Sequence, residues 1–290
     1  TGPVIVAPEM NPRMWSHAAV RENLRTLRER GVIVVEPGTG RVACGEGGTG
    51  RMAEVEHILD AIRVQLAASD VPAAARPRRI LVTAGPTQEP LDPVRFLTNR
   101  SSGRMGTAIA EVAAAAGHDV VLVSGPTALP DPRGCRTVRV RTAAEMASAV
   151  REEFPGCDVL VMAAAVADYR PAKVSSAKRH KREGEWTLLL ERTEDILEAI
   201  ASARRPDQTV VGFAAETHDV AAAACAKRER KRLDWIVAND VGRDDIGFGS
   251  ERNQVTLISA TVRKELPVLS KADTAAEILK HVLDEGQEHD

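Results

Sequence analysis

The chain has 290 residues, with 39 Lys and Arg against 41 Asp and Glu, a formal charge of −2, and only three Trp, one Tyr and four Phe. At roughly 100–200 residues per domain, this length holds one large domain or two smaller ones. With 43% of residues hydrophobic and almost no net charge it is not a disordered chain, and its longest apolar run, nine residues from Val159 to Ala167, falls far short of the roughly 20 that cross a bilayer.

A soluble protein with no membrane partner is therefore expected. The balanced charge offers no concentrated basic surface, so no nucleic-acid partner is expected either. Cysteines at 44, 135, 157 and 225 share no CxxC spacing and lie in a chain without an apolar secretory segment. They read as thiols of a cytoplasmic protein.

In chain order, Val4-Ile5-Val6-Ala7 is strand-like and follows a first residue, Thr1, that is not Met. This is the pattern expected of a fragment that starts inside a domain. Strand, loop and helix then alternate twice, with Val32–Val35 the second apolar run and 52–66 an amphipathic helix. Residues 71–79 are polar and Pro/Ala-rich, the composition of a linker, which divides a first domain over 1–70 from a second over 80–290.

Beyond it, Ile80–Thr83 is a short buried strand, 106–116 a helix ending at Gly117, and 119–123 a second β-branched strand, together a βαβ unit. The alternation continues through strands at 138–140, 159–162, 187–190, 210–211 and 235–237 and helices at 143–153, 194–203 and 219–230. Near-continuous apolar strands predict an α/β fold with a Rossmann-like, mostly parallel sheet covered on both faces. Late strands at 254–259 and 267–268, with a helix at 273–284, would add an antiparallel edge. Such sheets bind ligands outside the carboxyl ends of their strands, so the segments after each strand carry the chemistry.

The first such segment runs from Thr83-Ala84-Gly85-Pro86-Thr87 to Arg100-Ser101-Ser102-Gly103-Arg104-Met105-Gly106. Glycines and hydroxyls ahead of a helix suit a phosphate, although Ser-Ser-Gly is also an ordinary cap and turn. The only GxGxxG, at Gly45, Gly47 and Gly50, does not follow a buried strand and reads as a mobile flap. After the strand at 159–162, small residues Met162 to Ala167 admit a ligand, and Asp168 is either a rim carboxylate for magnesium or a ribose hydroxyl, or merely solvated.

Two basic clusters, 178–182 and 227–232, read as solvated helix faces or as grips for a triphosphate, with Lys227 and Lys231 one helical turn apart. The absence of interleaved aromatics disfavours nucleic acid. Phe213 suits the face of a base and Asn239 its edge; they equally suit a core and a turn. The βαβ alternation alone also permits an NAD(P)-dependent oxidoreductase.

Taken together, these segments resemble the bacterial phosphopantothenoylcysteine synthetase/decarboxylase family, bifunctional proteins of coenzyme A biosynthesis. TAGPTQEPLDPVRFLTNRSSGRMG, AAAVADYRP, GFAAET and IVAND occur in order at intervals similar to those of its ligase half. Pro8 to Trp15, with Ala43-Cys44-Gly45-Glu46 and Gly50-Arg51-Met52, resembles the last part of its flavin-dependent decarboxylase half. The resemblance implies a ligase that activates the carboxylate of 4′-phosphopantothenate with CTP and Mg2+, then joins it to L-cysteine.

It also implies roles for single residues. Lys178 matches the lysine of the acyl-cytidylate step, and Asn99 the asparagine that handles that intermediate. Phe213, Lys227, Lys231, Asp168, Met162, Ala163, Ala164 and the run Glu194, Asp195, Ile196, Leu197 match nucleotide contacts. Gly85, Ser101, Gly103 and Gly106 match phosphate loops, and Ala164, Ala165 and Asp168 the pantothenate side. In the decarboxylase remnant, Asn11 matches the clamp on the substrate carboxylate and Cys44 the proton donor. Arg179 and His180 interrupt the family's Lys-Ile-Lys-Lys motif. The FMN-phosphate site and catalytic histidine of that half would lie upstream of Thr1, so the chain is expected to ligate, as a homo-oligomer through a ligase-domain dimer, and not to decarboxylate unaided.

Overall fold

The computed structural model describes residues 2–41, 47–72, 76–178, 186–216, 220–240 and 252–284. The chain forms two compact units, Thr1–Ala67 and Ala68–Asp290.

The first unit comprises β1 (Ile5–Val6), α1 (Pro12–Ser16), α2 (Ala18–Glu29), β2 (Ile33–Val34), β3 (Gly38–Arg41), β4 (Gly47–Arg51) and most of α3 (Val55–Ser69). Pro12 sits where a helix has no use for its missing N–H, and Asn11 Oδ1 caps α1 by accepting from Arg13 N at 2.8 Å. His17 ends α1 and starts α2, its Nδ1 accepting from Ala19 N at 3.2 Å. Parallel β1 and β2 pack with these helices around Trp15, Leu24 and Val34. β3 and β4 form an antiparallel hairpin, and Met10 N donates to Gly50 O at 2.9 Å. Gly47 and Gly50 thus belong to a strand rather than to the turn of a dinucleotide fingerprint.

The second unit continues with β5 (Arg79–Ala84), β6 (Gln88–Pro90), β7 (Phe96–Thr98), α4 (Arg104–Ala115), β8 (Asp119–Ser124), β9 (Cys135–Arg139), α5 (Ala143–Glu153) and β10 (Val159–Met162). There follow β11 (Tyr169–Pro171), β12 (Leu190–Arg192), α6 (Ile196–Ile200), β13 (Thr209–Glu216), α7 (Val220–Lys231) and β14 (Trp235–Asp240), then β15 (Arg252–Asn253), β16 (Val255–Ile258), β17 (Arg263–Glu265), β18 (Leu269–Ser270) and α8 (Lys271–Asp284). The main sheet runs β17-β16-β14-β13-β10-β5-β8-β9; the six strands from β14 to β9 are parallel, and β16 is antiparallel to both its neighbours, β14 and β17.

Its central strands are buried along their length, β10 at all four residues and β5 at all but the first, as a sheet covered on both faces requires. Leu81, Val121, Met146, Phe154, Leu160 and Ile236 belong to one core, and each such side chain contributes about 1.5–3 kcal/mol on burial. α5 opens with a capping box between Thr142 and Glu145. The buried Glu89 carboxylate of β6 accepts from Ala143 N at 2.8 Å in its first turn.

Two expected strands depart from this sheet. The run 187–190 gives instead β12, which pairs antiparallel with β11 in a two-stranded ribbon. Both edges of β10 are already taken by β5 and β13, and β12 pairs outside the main sheet. Likewise the strand expected at 267–268 lies at 269–270 and pairs with β15, because β17 occupies the edge of β16. The helix expected over 194–203 is α6, capped by Asp195 and followed by a 3₁₀ turn at 201–203.

Candidate active site

From β5 the chain winds to β8 and β9 on one side, and from β10 to β13 and β14 on the other. The reversal between β5 and β10 is a topological switch point, where loops part and leave a crevice. At the carboxyl ends of these strands lies a cleft of about 860 Å³. Segments 101–106, 162–169 and 192–198 line it, with Phe213, Ala214, Lys227, Arg230, Lys231, Asn239, Asn253 and Lys271.

Ser101, Gly103, Gly106, Met162, Ala163, Ala164, Ala165, Asp168, Glu194, Asp195, Ile196, Leu197, Phe213, Lys227, Lys231 and Asn239 are thereby brought to one cleft. Asn99 and Gly85 stand behind its wall. Asn99 Nδ2 donates to Ala165 O at 3.3 Å and Val166 O at 3.1 Å, and Ala165 N donates to Gly85 O at 2.9 Å. Lys178 is exposed and is not among the lining residues. Asn11 caps α1 in the first unit. Cys44 and His180 lie outside the described residues.

The wall at 163–168 is pinned by three hydroxyls. Buried Thr83 accepts from Ala164 N at 3.1 Å and buried Thr87 from Ala167 N at 3.0 Å. Thr193 Oγ1 donates to Ala167 O at 2.6 Å. On the opposite side α4 begins without a side-chain cap at Gly103, which is left-handed at φ +75, so its first N–H groups and the positive end of its dipole favour an anion. A Cβ on Gly106 would stand 2.7 Å from Thr83 O and from Ala84 Cβ, so only glycine lets α4 lie this close to β5.

Charge across the cleft is partly spent. Lys231, almost buried, pairs with Asp195 and, at 2.5 Å, with Glu198. Burial works to lower the Lys231 ammonium, but its two carboxylate partners raise it above its ordinary value. Asp195 shifts down: burial opposes this, while the Lys231 hydrogen bond and the Glu198 N–H prevail. Glu194 pairs with Arg151 at 2.6 Å. Lys227 Nζ donates to Phe213 O at 2.8 Å, fixing the end of β13 to α7. Among the described residues Asn239 Oδ1 is buried without a hydrogen-bond partner, an acceptor that calls for a donor.

Among the described residues no group of three or more His, Cys, Asp or Glu is placed to hold a metal ion. Asp168 is one carboxylate on the rim, and Glu194 and Asp195 are tied to cations. A resident metal does not fit this donor set. Burial, then the charge of Glu111, pushes the Cys135 thiol up to about 12, and burial does the same at Cys157, so neither is a nucleophile. In the first unit Asn11 and His17 cap helices and Trp15 lies in the core. Among the described residues no helix is long and apolar enough to cross a membrane.

Fold and cleft define a doubly wound α/β domain with a cleft at its switch point. Residues 75–285 match the family described as DNA/pantothenate metabolism flavoprotein C-terminal domain, and residues 1–67 match the family described as Flavoprotein. The coenzyme A biosynthesis bifunctional protein CoaBC of Bacillus subtilis is 42% identical over 97% of this chain and 70% of its own length. That of Mycobacterium tuberculosis is 48% identical over 83% of this chain and 60% of its own. A crystal structure of the C-terminal domain of a CoaBC protein superposes with a TM-score of 0.64 at 43% identity, covering 76% of this chain and all of that one. The chain belongs to this family of bifunctional coenzyme A biosynthesis proteins.

Proposed function

We propose that the second unit is a CTP-dependent ligase joining 4′-phosphopantothenate to L-cysteine through an acyl-cytidylate. The observation that carries this reading is the convergence of five strand-end segments, far apart in sequence, on one cleft whose lining matches the ligase motifs. The pantothenate carboxylate attacks the α-phosphorus of CTP and expels pyrophosphate. The cysteine amine then attacks the acyl carbon, CMP leaves, and the amine proton passes to solvent.

Each residue has a task suited to its place. The open N-terminus of α4, with Ser101 and Gly103, and the cationic side of α7 receive phosphates. Phe213 packs against the base, and the orphaned acceptor of Asn239 meets an amino donor on its edge, as cytosine presents. Asp168 serves a ribose hydroxyl or the pantothenate side, and Mg2+ arrives on the nucleotide as part of the substrate. Attack of one anion on another is helped by cations placed where charge develops. Lys178 is assigned to that step and Asn99 to handling the intermediate.

Lys178 is exposed, so the same reading includes a homo-oligomer in which it serves a cleft completed by a second copy. Support comes from apolar residues left exposed on the ribbon and the neighbouring hairpin: Phe96, Tyr169, Leu190 and, at 77% exposure, Leu189. The first unit is assigned to the flavin-dependent decarboxylase half, with Asn11 and Cys44 on its substrate, and the whole to the cytoplasm.

The test is pyrophosphate release by the purified chain. It is expected only when 4′-phosphopantothenate and magnesium CTP are both present, with amide formed on adding L-cysteine and ATP compared side by side. No pyrophosphate from the complete mixture rejects the reading.

A further inference from the structure

Lys271 opens α8, an element that carries none of the motifs, yet it lines the cleft. Its ammonium donates to Asn253 Oδ1 at 3.0 Å, and buried Asn253 donates in turn to Met105 Sδ at 3.5 Å. Arg104, the first residue of α4, lines the same cleft. Burial, and then the charge of Arg104, pushes the Lys271 ammonium down to about 8. The contrast with Lys231 is one of partners. Lys231 is neutralised by two carboxylates, whereas among the described residues Lys271 is held by a neutral amide and forms no ion pair.

An ammonium taken out of water beside a guanidinium bears a desolvation cost and a like-charge cost, and an anion entering the cleft relieves both. Asn253, fixed between Met105 and Lys271, aims the ammonium while leaving its charge uncompensated. We propose that Lys271, positioned by Asn253 and beside Arg104, binds a phosphate group of the substrate in this cleft. The assignment rests on the ligase reading for the identity of that substrate. Two sources carry the same chemistry: the triphosphate of the nucleotide and the phosphate ester of the acyl substrate.

The experiment uses the full chain with Lys271→Met, Lys271→Gln and Lys271→Arg, each checked by thermal unfolding. Binding of inorganic tripolyphosphate and of inorganic phosphate is measured calorimetrically, which requires no turnover. The Met and Gln variants are expected to bind at least tenfold more weakly, about 1.4 kcal/mol, and the Arg variant within threefold of the unsubstituted chain. In turnover, a raised KM for CTP assigns the nucleotide, and a raised KM for 4′-phosphopantothenate assigns the acyl substrate, with KM for cysteine unchanged. Unaltered anion affinity in the Met and Gln variants overturns the proposal. So does an unsubstituted chain that binds neither anion, or an Arg variant as impaired as the other two. If the unsubstituted chain binds these anions but makes no pyrophosphate, the ligase reading fails while the role of Lys271 is still decided.

Discussion

Asn99, bonded to the wall of the cleft, and Asp195, in its lining, each make a hydrogen-bond demand that can be tested. Asn99 directs both amide hydrogens at carbonyls of the 163–168 wall. Asn99→Asp replaces a double donor with an acceptor facing two acceptors, so both bonds to the wall are lost. It is expected to leave pyrophosphate release measurable while cutting amide formation at least tenfold. Single-turnover assays of both products check this, and equal losses in both remove Asn99 from the second step. Lys178→Gln is expected to abolish pyrophosphate release, and wild-type release would withdraw that assignment.

The Asp195–Lys231 pair makes a pH prediction. Asp195 is lowered from its ordinary 3.8, so its contribution is present above that value and lost as pH falls through the folded one. Lys231 is raised from 10.5, so its share is present below that value and lost as pH rises through the folded one. The pair therefore stabilises across the neutral range. With Asp195 partly exposed and its charge screened, Asp195→Asn is expected to lower Tm by roughly 2–4 °C at neutral pH. The difference should shrink as pH falls below 3.8 and through the lowered folded value. A difference that persists in acid would show that the capping of α6, not the charge, is what matters. At this scale the sequence exposed residues embedded in motifs and hid lone ones. Thr193, Lys271 and Asn253 lie outside the motifs, and Thr83 and Thr87, though inside one, act through single hydroxyls on partners 81 and 80 residues away, so no spacing announced these contacts.

Elements were more legible than contacts. The buried parallel strands announced themselves because a strand covered on both faces must be apolar throughout. The ribbon of β11 and β12 did not, because the apolar run at 187–190 has the same composition as a core strand. What decides its place is its pairing with β11, outside the main sheet. The glycine at the start of α4 was legible as a phosphate-loop residue, but its packing role was not. Gly106→Ala would place a methyl 2.7 Å from Thr83 O and from Ala84 Cβ, forcing α4 off β5 by a few tenths of an ångström or more. Overpacking of this kind costs about 1–3 kcal/mol, and the displaced helix carries Arg104 and the N-terminal N–H groups with it. Denaturant unfolding is expected to show that loss, and KM for CTP to rise more than KM for cysteine. An alanine variant with unchanged stability would mean that α4 can move without penalty.

At the scale of the whole chain, the division after Ala67 makes a prediction about which part suffices. Every lining residue of the cleft lies at 101 or beyond, and the second unit has its own sheet and core. A crystal structure of a related C-terminal domain corresponds to 76% of this chain and is covered completely. A fragment spanning residues 68–290 is therefore expected to unfold in one cooperative transition with the Tm of the second unit in the full chain. It should retain CTP-dependent ligation within about threefold, a change under 1 kcal/mol in activation free energy. Scanning calorimetry and the pyrophosphate assay check the two halves of this statement separately. A folded fragment without ligation would mean that the first unit supplies part of the site, and Asn11 and the residues around it would then have to be reassigned. An unfolded fragment would mean that the second unit draws its stability from the first, despite a sheet whose central strands are already covered on both faces.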